Sequence, residues 1–234
     1  MKKNNSSLSS RLYREKTLAS IQTKITMLGN NAKFDAITFM NLRVITSLVI
    51  FIIVIYSGDL SYIYAPFIVV AYYVLFEIFL LERPLKQRER KLDHEALSFF
   101  EILTLTLESG RDLESAIEIT CFNTKSELSD EFKKTLFEMK FGKSLMEALE
   151  SMKNRIPSET VNNIILNIVQ TNLFGNSILD TMYNQIEFLR DKQILEIKEK
   201  INKIPNKVSI ISVLFIVPLI LLLLLGPFII EFMG

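Results

Sequence analysis

The sequence predicts an all-α membrane protein, with three transmembrane helices and a cytosolic six-helix bundle built of helical hairpins. The first observation behind this fold class is a mean hydropathy of +0.28 in a chain of which 23% is charged. Because both values are high together, the apolar residues must be concentrated in long runs that suit membrane spans. The second observation is that the charged stretches between those runs show the apolar period of helices.

Three apolar runs are long enough to cross a bilayer, which takes about 20 helical residues. The first extends from Ile37 to Tyr56 and the second from about Leu60 to Leu81. Only residues 57–59 separate them, so the two spans are predicted to form a tight helical hairpin. The third run, from Val208 to Ile230, predicts a C-terminal transmembrane helix.

Basic residues set the predicted orientation, because Lys and Arg beside a span stay in the cytoplasm. Eight of them lie between Lys2 and Arg43, five follow the second span and four precede the third, whereas the hairpin tip and the C-terminus carry only acidic charges. We therefore expect a multi-pass protein of the cytoplasmic (inner) membrane, with the N-terminus and helical domain in the cytosol and the C-terminus outside. The predicted divisions are a polar basic segment, 1–36, a transmembrane hairpin, 37–82, a cytosolic helical domain, 83–207, and a C-terminal span, 208–231.

One acidic residue, Glu77, falls well within a predicted span. Counting back from the hairpin tip places Arg43 at a similar depth on the neighbouring helix. A charge inside the bilayer is costly unless it is paired, so we interpret Arg43 and Glu77 as a structural ion pair near the cytoplasmic interface. The alternative is a proton relay, for which the sequence offers no second buried carboxylate or histidine.

The cytosolic domain repeats a short glycine-led phrase three times, at intervals of about 32 residues. Each glycine can take the left-handed conformation that closes a helix, and the side chain two residues later can cap the next helix. These pairs are Gly110 with Asp112, Gly142 with Ser144, and Gly175 with Ser177. The resulting predicted helices are 94–109, 113–122, 129–140, 145–154, 159–174 and 178–203.

The sequence offers little for chemistry. Cys121 is the one cysteine and His94 the one histidine, so no intrachain disulfide or metal site is predicted. Residues 142–144 resemble the end of a phosphate-binding loop, but that motif needs a glycine where Phe137 stands. Charges of both signs are interspersed, which argues against a nucleic-acid surface. We therefore expect a protein that is not an enzyme.

The order of these elements resembles the platform proteins of type IV filament machines, the type II secretion F family. Within it the chain is most similar to the TadC-like members of tight-adherence (Flp) pilus systems. The resemblance covers roughly residues 90–230 and is carried by the three glycine-led phrases, the basic segment 198–207 and a final span that contains Pro218, Gly226 and Pro227. Pro218 falls mid-span, where a proline kinks a helix. Secretion F proteins resemble a duplication of this domain, whereas one copy is present here.

The resemblance implies a membrane platform on which a cytosolic hexameric secretion ATPase acts while pilin subunits are extracted from the lipid bilayer and added to a filament. It also implies assembly into a homo- or hetero-oligomer, including a TadB-like paralogous platform protein, and no cofactor. Two alternatives stay open at this point. One is a membrane-anchored helical adaptor or sensor; the other is a transporter subunit, which would need more polar residues in its spans.

Overall fold

The computed structural model describes residues 15–29, 34–56, 61–174 and 177–233, and every regular element in these ranges is helical. The all-α prediction is confirmed. In chain order the elements are α1 (Glu15–Met27), α2 (Ala36–Ile55), α3 (Ser61–Glu77), a π-helical turn (Ile78–Glu82), α4 (Arg83–Glu108), α5 (Leu113–Asn123), α6 (Glu127–Lys140), α7 (Leu145–Lys153), α8 (Glu159–Phe174) and α9 (Ile178–Met233).

In the described part of the chain, two helical stretches are long and apolar enough to cross a membrane. They are Ala36–Ile55 and the continuous stretch Ile63–Glu108, with mean hydropathies of 2.2 and 2.0 over their most apolar parts. Helices α2 and α3 pack against each other; the predicted link at 57–59 lies outside the described residues. In α9 the apolar stretch Ile211–Leu225 is shorter, so the third span stays a prediction.

The chain divides into two compact units, Met1–Ile186 and Glu187–Gly234. The first unit holds α1 to α8 and the first turns of α9. The second unit consists of the rest of α9. The boundaries predicted at residues 83 and 207 stay predictions.

Two predicted helix bounds were wrong. The helix expected to begin at His94 begins at Arg83, directly after the π-helical turn. Its first residues are mostly charged and show no apolar stripe, and Pro84, a residue typical of helix starts, stands directly after the π-helical turn. The helix expected to end near Lys203 continues as α9 through Pro205 and Pro218 to Met233.

Three aromatic side chains form the centre of the helical domain. Phe99 and Phe100 of α4 meet Phe132 of α6, with ring centroids 4.5 and 6.2 Å apart, and all three side chains are fully buried. Cys121, on α5, is also buried, and burial raises the pKa of its thiol to about 11. A thiol with that pKa is protonated near neutral pH and is a poor nucleophile.

The glycine-led turns have the backbone geometry of helix ends. Gly110 and Gly142 have φ of +82° and +97°. After them, Asp112 accepts a hydrogen bond from the Ser115 amide at 3.1 Å. Ser144 and Glu147 cap α7 reciprocally, each side chain accepting from the other's backbone N–H. Gly175 lies outside the described residues, and Ser177 Oγ accepts from the Asp180 amide at 3.4 Å.

Candidate functional site

Helix α1 lies against both helix α2 and the π-helical turn. Its apolar face carries Ile21 and Ile25, which are buried in one cluster with Phe39 and Met40 of α2 and with Leu81 of the π-helical turn. Burial of this face stabilises α1 where it lies, since a 13-residue helix is marginal in isolation. Helix α1 therefore bridges α2 and the π-helical turn, which are far apart in the sequence.

Charged side chains at the polar end of the hairpin add to this contact. Glu77, at the end of α3, accepts from Lys24 of α1 at 2.9 Å and lies 3.1 Å from Nη1 of Arg43 on α2. The structure thus brings together the two residues paired by sequence reasoning and adds a third, Lys24, which that reasoning did not include. One carboxylate held between two basic side chains is a geometry that suits a structural ion cluster better than a proton relay.

Arg43 has further partners besides the carboxylate of Glu77. Its side chain is 6% exposed. The guanidinium donates to the Tyr73 carbonyl oxygen from Nη2 at 2.7 Å, and its Cζ lies 3.5 Å from the centroid of the Tyr73 ring. A carbonyl, a ring face and a carboxylate together compensate a buried cation. These contacts fix α2 and α3 in one register near the start of α2 and the end of α3.

Replacing Glu77 by alanine is expected to lower the free energy of unfolding in detergent by about 1–3 kcal/mol, because the buried Arg43 loses its carboxylate partner. Chemical unfolding followed by circular dichroism measures this loss. The matched control is Glu82→Ala, since the exposed Glu82 lies 3.8 Å from Lys24 and its pair is worth little. Equal stability of the two variants would show that the Arg43–Glu77 pair does not stabilise the hairpin.

A second charged cluster is centred on Arg88 of α4, whose side chain is 3% exposed. Its guanidinium lies 2.6 Å from the carboxylate of Glu127 and 2.9 Å from that of Glu131, both on α6. It also donates to the carbonyl oxygens of Met27, at the end of α1, and of Arg155, before α8. One buried side chain therefore connects α1, α4, α6 and the segment that leads into α8.

The cluster continues outward from Arg88 as a chain of alternating charges. Arg155 lies 3.2 Å from the second oxygen of Glu131 and also pairs with Glu138. Lys91 also pairs with Glu127, Lys134 pairs with Glu131, and Lys143 pairs with Glu138. We call this set the Arg88 network: Arg88, Lys91, Glu127, Glu131, Lys134, Glu138, Lys143 and Arg155.

Two carboxyls of the Arg88 network titrate below their ordinary range. Burial disfavours the charged form of Glu127, but hydrogen bonds from Arg88 and Lys91 outweigh burial and lower its pKa below 4.5. Hydrogen bonds and charge from Lys143 and Arg155 likewise overcome burial and lower the pKa of Glu138. The stability that these carboxylates contribute is therefore complete above the unfolded-state pKa and is lost as the pH falls through the lowered values.

Gly29 is positioned directly against Arg88. It has φ of +63°, and a Cβ built on it would lie 2.8 Å from Cζ and Nη2 of the guanidinium. At Gly142, which also has positive φ, a Cβ would meet nothing within 4 Å. A substitution at Gly142 therefore tests backbone strain alone, whereas one at Gly29 tests strain together with the close approach to Arg88.

We expect Gly142→Ala to cost about 1–2 kcal/mol of unfolding free energy from left-handed backbone strain alone. Gly29→Ala should cost about 1 kcal/mol or more beyond that, because the methyl group displaces the guanidinium. Denaturant unfolding of both variants checks this order. Equal losses would mean that Arg88 moves aside freely and that the contact at Gly29 is not tight.

The remaining predicted residues lie elsewhere in the chain. Gly110, Asp112, Gly142 and Ser144 form turns of the helical domain and take no part in either charged cluster. Pro218 is an exposed residue within α9, and the backbone at 226–227 is helical too. Within the described part of the chain, no three His, Cys, Asp or Glu side chains gather at a point that could hold a metal ion.

Sequence reasoning missed α1 and the Arg88 network. Helix α1 had a usable signal, since Leu18, Ile21, Ile25 and Leu28 follow the spacing of one helical face. The Arg88 network had none, because the partners of Arg88 on α6 are 39 and 43 residues away in the chain. Neighbouring charges at helical spacing predict only a solvated surface.

Comparison with known proteins gives one match. A family model described as type II secretion system (T2SS), protein F, matches residues 99–226, which is more than half of the chain. Neither the curated proteins nor the solved structures contain a match. The matched residues run from the centre of α4 into the apolar part of α9, and so include α5 to α8 entirely.

Proposed function

The chain belongs to the type II secretion system protein F family, and we propose that it is the TadC-like platform protein of a tight-adherence pilus. Proteins of this family are non-catalytic platform proteins of the inner membrane in type II secretion and type IV pilus-like systems. The observation that carries the proposal is the family match over residues 99–226. The glycine-led phrases, the basic segment 198–207 and the apolar run that contains Pro218 support the pilus type, because they are the features by which the sequence resembles the TadC-like members.

In this role the chain couples a cytosolic hexameric secretion ATPase to the insertion of pilin subunits into a filament. The coupling is supported by the continuous helical stretch Ile63–Glu108, which joins the membrane hairpin to the helical domain without a loop. A displacement of α4 would therefore reach α3 along the helix itself, because no flexible linker separates them. Helix α1 and the Arg88 network reinforce the same junction.

The proposed topology keeps the N-terminus and the helical domain in the cytosol, with a third span in α9 and the C-terminus outside. The proposed partners are the ATPase, a TadB-like paralogous platform protein, pilin subunits and further copies of the chain. Force that reaches the helical domain would pass into the third span through the basic segment 198–207. Basic residues at that position hold the cytoplasmic end of a span at the anionic membrane surface.

A deletion strain tests the proposal. Deletion of the gene should remove surface pili, seen by electron microscopy and by shearing, and leave pilin subunits in the membrane; the intact gene on a plasmid should restore filaments. Pili at wild-type density in the deletion strain would contradict the platform role. In that case the membrane-anchored adaptor and transporter alternatives would have to account for the chain.

A further inference from the structure

The first turns of helix α4 carry basic side chains of two kinds. Arg88 and Lys91 pair with carboxylates of α6 and belong to the Arg88 network. Arg83, Lys86 and Arg90 are exposed, and no ion pair holds any of the three within the described part of the chain. They are three and four residues apart, so they lie on one face of the helix. We call these three residues the α4 basic face.

The α4 basic face begins beside an apolar side chain that suits lipid. Phe79, in the π-helical turn, is 51% exposed. The guanidinium carbon of Arg83 lies 3.9 Å from the centroid of the Phe79 ring. An exposed phenyl ring suits the hydrocarbon of a bilayer, whereas a guanidinium suits its headgroups. This contact therefore places the boundary between hydrocarbon and headgroups at the start of α4.

The length of the α4 basic face matches the depth of the membrane surface. From Arg83 to Arg90 the helix rises about 10 Å. The headgroups add roughly 5–8 Å on each side of the hydrocarbon core. Arg83 and Lys86 thus fall among the headgroups, and Arg90 falls within the Debye length of about 8 Å from them.

The chemistry of the face favours lipid headgroups over a protein. The exposed side chains of α4 from Arg83 to Arg90 are basic or polar, with Gln87 as the fourth. A protein interface needs a large apolar or aromatic anchor, which this set does not offer. A guanidinium pairs well with a phosphodiester, by two parallel hydrogen bonds. An anionic phospholipid carries such a group without a compensating cation, whereas phosphatidylcholine carries its own.

We propose that the α4 basic face binds the headgroups of anionic phospholipids and so anchors the start of α4 at the membrane surface. The face and the Arg88 network then hold one helix from two sides, by lipid and by α6. This inference goes beyond the platform role and holds whether or not the chain serves a pilus. The proposed topology decides only that the lipid comes from the cytoplasmic leaflet.

The test uses a fluorescent probe placed at the face. The chain contains no tryptophan, so Phe79→Trp introduces a single fluorophore and keeps an aromatic partner for Arg83. The full chain with this change is reconstituted in phosphatidylcholine vesicles that contain brominated phosphatidylglycerol or, in parallel, brominated phosphatidylcholine. Bromine quenches a nearby indole, so the ratio of the two quenching curves measures enrichment of the anionic lipid. We expect enrichment of about fivefold or more at the face.

Two sets of substitutions in the Phe79→Trp background locate the effect. Neutralising the α4 basic face, with Arg83→Gln, Lys86→Gln and Arg90→Gln, should lower the enrichment to about one. The matched control removes the same charge from exposed positions elsewhere in the helical domain and should keep the enrichment. It consists of Arg111→Gln, Lys125→Gln and Lys140→Gln. Circular dichroism during heating should give the same unfolding temperature for both sets, because all six side chains are exposed.

Equal quenching by the two lipids before neutralisation, or enrichment that survives it, would overturn the proposal. Equal loss in the control set would assign the preference to the net charge of the domain and overturn the face as its source. Inorganic phosphate, compared with chloride at the same ionic strength, should leave the enrichment unchanged. Loss of enrichment with phosphate alone would show a site for the free anion and overturn the assignment to lipid.

Discussion

Arg88→Met is expected to lower the free energy of unfolding by about 3–5 kcal/mol, the usual loss when one partner of a buried ion pair is removed. The methionine fills part of the volume but leaves Glu127 and Glu131 without their central cation. It also leaves the carbonyl oxygens of Met27 and Arg155 without their guanidinium donor. Guanidinium unfolding of the chain in detergent, followed by loss of the helical circular dichroism signal, measures the effect.

Two further variants identify the cause of this loss. Arg90→Met removes an exposed basic residue from the same helix and should change stability by less than about 0.5 kcal/mol. Arg88→Met combined with Glu127→Gln and Glu131→Gln should recover part of the lost stability, because in Arg88→Met the two carboxylates lose their most buried cation and keep only the more exposed Lys91, Lys134 and Arg155. Similar stabilities for Arg88→Met and Arg90→Met would contradict the structural role of the network.

Ile201→Pro is expected to abolish piliation without lowering the amount of the protein. The substitution removes the bond from the amide of residue 201 to the carbonyl of Ile197 in α9, and its ring clashes with the preceding turn, at a local cost of about 3 kcal/mol. Pro205 already removes the equivalent bond to the carbonyl of Ile201. Two successive interruptions should let the segment before the proposed third span bend, so that force from the helical domain is not transmitted.

The matched control for that variant is Ile201→Ala, which shortens the same exposed side chain and keeps the helix. Immunoblotting of membranes measures the protein level, and electron microscopy counts the pili. Normal piliation in Ile201→Pro would contradict transmission through this segment. Loss of pili in both variants would assign the effect to the side chain rather than to helix continuity.

The sequence sufficed for features that depend on local pattern. Hydropathy located the two helical stretches of the hairpin, because a bilayer span needs a long apolar run. The pairing of Arg43 with Glu77 followed from counting residues back from the link between the two runs, because rise along a helix is constant. The turns at Gly110 and Gly142 followed from the need for positive φ beside a capping side chain.

Features that depend on tertiary packing were not available from the sequence. The charged start of α4 gave no apolar stripe, so its true beginning at Arg83 was missed. Lys24 joins Glu77 only because α1 folds back on the hairpin, 53 residues away in the chain. The exposure of Phe122 and Phe137 was hidden for a different reason, since an exposed phenylalanine and a buried one look alike in a helical pattern.

The most direct test of the platform role is an affinity purification of the intact chain from its native cell in detergent, read by mass spectrometry. Our account predicts recovery of a hexameric secretion ATPase, a second membrane protein with a secretion F domain, and a pilin. The same purification from a strain that lacks the ATPase gene should still recover the second platform protein. Co-purification of a solute-binding protein or a kinase, with none of these three components present, would contradict it.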